Sequence, residues 1–149
     1  MSHKRKRIKS PKHSLRKTLH FDETKIDKAY ESSIRESKLS FSFQYLNLRH
    51  KSFNVLGCKQ KWFIQLLNRK KDYCTMTPQE IKMGGKSTRY HPIGWEETSE
   101  SRGFGIKGLS EDIDECQLSI SKRKGRILGF FIDTIFYIVW FDPDHNLYS

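Results

Sequence analysis

Ile127-Leu128-Gly129-Phe130-Phe131-Ile132, then Asp133-Thr134, then Ile135-Phe136-Tyr137-Ile138-Val139-Trp140-Phe141 decide the fold of this chain. The stretch is too short to span a bilayer, and Asp133 interrupts it. β-branched and aromatic residues dominate on both sides of Asp133-Thr134, which predicts two strands around a tight turn. In the second strand Phe136, Ile138 and Trp140 fall on one face and Ile135, Tyr137 and Val139 on the other. Apolar residues on both faces mark a central strand covered on two sides. Lys122-Arg123-Lys124-Gly125-Arg126 leads into the hairpin, and Asp142-Pro143-Asp144-His145-Asn146-Leu147-Tyr148 leaves it. A strand's start and its partner's end share one edge of a sheet, so Arg126 and His145 are expected side by side.

Working outward, Leu118 and Ile120 alternate with Ser119 and Ser121, a third strand. Phe41, Phe43 and Tyr45 alternate with Ser42 and Gln44, a strand with one buried face. Asp22 to Lys38 is helical in character, with Ile26, Ala29, Tyr30 and Ile34 on one face. A stronger helix carries Trp62, Phe63, Leu66, Leu67 and Tyr73 on one stripe. Thr77-Pro78-Gln79-Glu80 opens a short helix with a capping box, and Gly84-Gly85 stops it. Residues 84–110 hold six of the chain's nine glycines and read as a long ordered loop anchored by Tyr90, Ile93, Trp95 and Phe104. The fold class expected is α+β: a small antiparallel sheet with a C-terminal β-hairpin packed against two or three helices.

At 149 residues the chain suits one domain with a real core. The net charge of +11 is uneven: residues 1–20 hold eight Lys and Arg and no acid, and the rest hold 20 against 17 Asp and Glu. The organisation expected is a flexible basic tail over 1–20 and a single α+β domain over 21–149. Nucleic acid is the natural partner of such a tail, and its few apolar residues argue against a membrane. A solubilising arm or a localisation signal accounts for the same residues. Cys58, Cys74 and Cys116 form no C-x-x-C pair, and no apolar segment follows the cationic N-terminus. A reducing, cytoplasmic location is expected.

No metal motif, phosphate loop, nucleophile elbow or dinucleotide fingerprint occurs, so no metal or cofactor is expected. Gly103-Phe104-Gly105 follows no strand and opens no helix. Cations and histidines remain. Arg126 opens a buried strand, which fixes a guanidinium able to fork two hydrogen bonds to phosphate. His145 follows a strand end and can exchange protons near neutral pH; a satisfied turn of Asp142, Asp144 and His145 explains it equally. Arg89-Tyr90-His91-Pro92 sets an Arg and a His beside Glu96-Glu97, either as a phosphoryl-directed group or as a packed loop. Tyr148 is either a proton donor or a fraying end. Lys122, Arg123, Lys124, Arg89, Lys61, Arg69 and Lys70 are the candidate nucleic-acid contacts. An exposed hairpin tip and a solvated helix face are the plain alternatives for the lysines and for Arg69.

The order in residues 58–148 resembles the RelE/HigB-type toxin family: helices, then strands, with basic residues before a late hairpin and His or Tyr near the C-terminus. The matching positions are Arg126, Phe136-Tyr137-Ile138-Val139, Asp142, His145 and Tyr148. The chain is longer than typical members, Phe41 precedes the strong helix, and the loop around His91 lacks a counterpart. The resemblance implies a small α+β ribonuclease that needs no metal, acts on messenger RNA at the ribosome and is blocked by an antitoxin partner. The function expected is RNA binding with toxin-type endoribonuclease activity: Arg126 and Lys124 on the phosphate, and His145, His91 and Tyr148 in proton transfer. The alternatives are a non-catalytic nucleic-acid-binding protein and a phage or mobile-element accessory interaction protein.

Overall fold

The computed structural model describes residues 23–149, so the basic tail read over residues 1–20 lies outside the described residues. The elements run α1 (Glu23–Glu36), β1 (Ser40–Ser42), α2 (Gln60–Tyr73), α3 (Pro78–Met83), β2 (His91–Pro92), β3 (Asp114–Ser119), β4 (Arg126–Ile132) and β5 (Ile135–Asp142). β4 and β5 form the expected hairpin on the two-residue turn Asp133-Thr134. Asp133 adopts a φ of 51° there, a left-handed conformation that a short polar side chain tolerates. The α3 capping box is closed in both directions. Glu80 N–H donates to Thr77 Oγ1 at 3.2 Å and Thr77 N–H to Glu80 Oε2 at 2.8 Å.

The sheet has five strands in the order β1-β5-β4-β3-β2. Three of its pairings are antiparallel, but β1 runs parallel to β5, with Phe41 opposite Phe136. The expected α+β fold, with a mostly antiparallel sheet and a C-terminal hairpin, is thus what the chain adopts. The long connection between β1 and β5 gives the chain room to return in the same direction, as a parallel pair requires. The strand near Phe41 ends at Ser42, before Phe43 and Tyr45. The loop after α3 is interrupted by β2, which pairs with β3 through His91 opposite Gln117.

Both faces of the sheet are covered. On one, Trp62, Leu66 and Tyr73 of α2 and Ile81 of α3 pack on Cys116, Leu118, Ile127, Phe131, Phe136, Ile138 and Phe141. On the other, Phe53, Phe104 and Leu147 from irregular segments pack on Leu128, Phe130, Val139 and Trp140. Trp140 does not share a face with Phe136 and Ile138, because β5 carries a bulge. Leu128 is opposite Trp140 and Gly129 is opposite Ile138, so Val139 is the extra residue. The bulge turns the strand over once. Trp140 and Asp142 then join the face of Val139, and Phe141 joins the helix side. Gly129 is what lets the two strands approach here, since a Cβ on it would lie 1.9 Å from the Tyr137 carbonyl oxygen.

Two helical stripes are narrower than their spacing predicts. Leu67 is 65% exposed, leaving Trp62, Leu66 and Tyr73 as the buried side of α2. On α1, Ile26 and Tyr30 are exposed. Its apolar stripe is thin and its sequence mostly polar, so docking it on the core would bury little area. No helix among the described residues is long and apolar enough to cross a membrane.

Candidate functional site

Arg126 and Asp142 face each other as the first residue of β4 and the last of β5. They are 3% and 1% exposed. Arg126 Nη1 donates to the Gly125 carbonyl at 2.9 Å and reaches the Ser121 carbonyl at 3.4 Å. The Asp142 carboxylate is committed to the turn that follows it. Oδ1 accepts from Asn146 N–H at 2.8 Å and Oδ2 from Leu147 N–H at 3.0 Å. That turn sets His145 at a φ of 58° and buries Leu147. Asp142 is therefore the group that positions His145. Burial raises its pKa, and the two backbone N–H groups and the His145 charge pull it down.

His145 is half-buried, and its Nε2 is enclosed. Burial lowers its pKa, and the Arg126 charge lowers it further, followed by those of Arg89 and His91 against the opposing pull of Asp142. A neutral imidazole at neutral pH follows, which is the form that accepts a proton. Burial also lowers the Arg126 pKa, with Arg89 the next cause. These shifts set Arg126, Arg89, His91, His145 and Asp142 within one electrostatic neighbourhood. Arg126 and His145 thus lie at the same end of the β4–β5 hairpin, His145 three residues past the Asp142 that pairs with Arg126.

The β2 edge supplies the remaining members. Ser119 N–H donates to the Thr88 carbonyl at 2.8 Å, extending the β2–β3 pairing past Arg89. Arg89 is exposed and holds a φ of 48°, a conformation whose cost in a non-glycine residue often sits at functional positions. His91 Nδ1 lies 3.4 Å from Tyr148 Oη, and the two rings meet edge to face at 5.7 Å. Tyr148 is not frayed: its hydroxyl accepts from Gly94 N–H at 3.2 Å, and the Leu147 carbonyl accepts from Ser99 N–H at 2.9 Å. Behind the cluster, the buried Tyr73 of α2 donates its hydroxyl to the Ser119 carbonyl at 2.7 Å.

Five buried side-chain atoms have no hydrogen-bond partner among the described residues: Arg126 Nε, His145 Nε2, Gln117 Oε1, Trp140 Nε1 and, on α2, Trp62 Nε1. Cross-strand neighbours share a face, and the pairs His91–Gln117, Gln117–Leu128 and Leu128–Trp140 form one row beside the pair Arg126–Asp142. An unpaired buried polar atom costs about 1–3 kcal/mol. Each of these atoms is shielded from solvent, so a ligand reaches it only when a covering side chain moves.

None of the other candidate cations is a cause of the Arg126 or His145 shift. Lys122, Arg123 and Lys124 are exposed in the turn before Arg126. Lys61 is exposed on α2, beside a hollow that Trp62, Pro143 and Asp144 also line. Arg69 is occupied by the Ser87 carbonyl, by Asp72 at 3.8 Å and by the Tyr73 ring at 4.6 Å. Lys70 lies 4.0 Å from the centre of the Phe43 ring and 5.0 Å from that of Phe41, and burial lowers its pKa. The aromatic contacts give Lys70 a packing role, whereas Arg69 shares the Ser87 carbonyl and Tyr73 with Ser119, the cross-strand partner of Arg126. Glu96 and Glu97 sit in a 3-10 turn after Gly94 and are exposed. Sequence reasoning missed Gln117, because the strand was read only from Leu118. A polar residue two positions before Ser119 in a strand with apolar neighbours was the available signal.

No group of three or more His, Cys, Asp or Glu among the described residues is arranged to hold a metal ion. Compared with models of protein families, with curated proteins and with solved structures, the chain matches none.

Proposed function

We propose that the protein binds RNA and cleaves it at the Arg126–His145 cluster as a metal-independent endoribonuclease, acting in the cytoplasm like the RelE/HigB-type toxins and held in check by an antitoxin protein. The observation that carries this reading is that Arg126 Nε and His145 Nε2, both without a hydrogen-bond partner among the described residues, lie at the same end of the hairpin, where burial and Arg126 lower the His145 pKa. A phosphate oxygen satisfies the first and a 2′-hydroxyl the second once the side chains that cover these atoms move aside. The 2′-hydroxyl is the group that distinguishes RNA from DNA. Gln117 Oε1 accepts a second ribose or base donor.

In this mechanism Arg126 and Arg89 hold the scissile phosphate, and the exposed Lys124, two residues before Arg126, adds charge. His145 Nε2 takes the 2′-hydroxyl proton as the 2′-oxygen bonds to phosphorus. The bond from phosphorus to the 5′-oxygen breaks, and that oxygen receives a proton from His91 or Tyr148. The products are a 2′,3′-cyclic phosphate and a 5′-hydroxyl end. The exposed Lys122, Arg123 and Lys124 add sequence-independent, salt-sensitive affinity.

The test is incubation of the full chain with end-labelled RNA at low salt, with His145→Asn alongside. Asn suits the left-handed backbone at this position, so the turn survives while the base is lost. Cyclic-phosphate ends with the parent chain, and binding without cleavage by the variant, are expected. Intact RNA bound by the folded parent chain refutes the nuclease and leaves a non-catalytic nucleic-acid-binding protein. No binding at all leaves a protein-interaction module.

A further inference from the structure

On the same face as Gln117, two residues earlier along β3, Glu115 borders a second feature. The loop that contains Gly103, Gly105 and Gly108 helps enclose a cavity of about 590 Å³, within the roughly 300–1,000 Å³ typical of small-ligand clefts. Ile93, Trp95, Phe104 and Ile106 contribute apolar surface, Glu111, Asp114 and Glu115 contribute carboxylates, and Arg102 contributes one guanidinium. Trp95 Nε1 donates to Glu115 Oε2 at 2.5 Å, and Phe104 braces the Trp95 ring edge to face at 4.8 Å. The Glu115 carboxylate is thus held in place, with acceptor capacity left on both oxygens.

We infer that this cavity receives a guanine base of the RNA whose phosphate sits at Arg126, an inference that rests on the RNA reading above. Three carboxylates against the single Arg102 guanidinium disfavour phosphate here, so the uncharged part of a nucleotide is what enters. Apolar and aromatic walls favour a flat ring system. Guanine alone among the four bases presents two adjacent donors, N1–H and the 2-amino group, and these match a fixed carboxylate. Adenine and cytosine set one amino donor beside an acceptor, and uracil sets one N–H between two carbonyls. Arg126 is opposite Ser119, four residues beyond Glu115. At about 3.3 Å per residue the separation is roughly 13 Å, within the reach of one dinucleotide.

The experiment uses the full chain, an all-uridine hexamer and fluorescent uridine hexamers carrying one internal guanosine, inosine, adenosine or cytidine, with fluorescence anisotropy at low salt. The guanosine hexamer should bind about tenfold more tightly than the others. Inosine, which lacks only the 2-amino group, should fall with adenosine. Glu115→Gln should erase the preference and leave all-uridine binding unchanged, which also reports that the variant is folded. Equal binding of all the hexamers, or a guanosine preference that survives Glu115→Gln, overturns the cavity assignment and leaves the RNA reading standing. Failure of every hexamer to bind refutes the RNA reading and the inference with it.

Discussion

Gly129→Ala tests the join between fold and site. The added Cβ would lie 1.9 Å from the Tyr137 carbonyl oxygen, 2.9 Å from its carbon and 3.0 Å from the Phe136 ring. The first two obstacles are backbone in the middle of the β4–β5 pair, so no rotamer change relieves them. The strands must separate by more than an ångström, where β5 is buried on both faces. Overpacking a core costs about 1–3 kcal/mol even when side chains can move, so a loss of at least about 3 kcal/mol is expected. For a domain of this size that corresponds to a fall in Tm of roughly 10 °C. Thermal unfolding followed by circular dichroism measures it. The Asp142 side chain depends on the same bulge for its face, so hydrogen exchange at Asn146 and Leu147 should accelerate under native conditions. A variant that melts within about 2 °C of the parent, with those amides still protected, would refute the account of the bulge.

Three further outcomes follow from the site. His145→Ala should be less stable than His145→Asn by about 1 kcal/mol, because Ala is strained at a φ of 58° and Asn is not; denaturant titration of the two variants reads the difference. Below about pH 6.5 the unfolded chain takes up a proton on His145 that the native state resists, so stability falls on acidification until the lowered native pKa is passed. Above that range His145 adds no slope, and the difference between parent and His145→Asn across a pH series isolates the effect. Asp142→Ala removes the acceptor for two backbone N–H groups and should cost about 2–4 kcal/mol. It should also free the C-terminal turn, which chemical shifts of Leu147 and Tyr148 will register.

The hairpin was legible because its turn, its apolar runs and its length all agree. So was the capping box of Thr77 and Glu80, a strictly local device. The bulge at Val139 was hidden, since β5 is apolar on both sides and no break in alternation betrays a slip of one residue. The parallel pairing of β1 is non-local and depends on where a long connection returns. The exposure of Ile26, Tyr30 and Leu67 was hidden for a different reason: periodicity reports which residues share a face, not whether the face finds a partner. In the site, Arg126 and His145 followed from hairpin geometry alone. The meeting of His91 with Tyr148 required the β2–β3 register, and Gln117 required knowing where β3 begins.

The bulge in β5 has a consequence for how the sequence can change. Removing one residue from a paired strand ordinarily turns every later side chain to the opposite face. Removing Val139 does not, because Trp140 would take its place on the face it already occupies. Asp142 and the turn it holds would keep their orientation. Insertion and deletion at this one point of the strand are thereby uncoupled from the geometry of the Arg126 edge, and the cost is confined to the packing that Val139 provides.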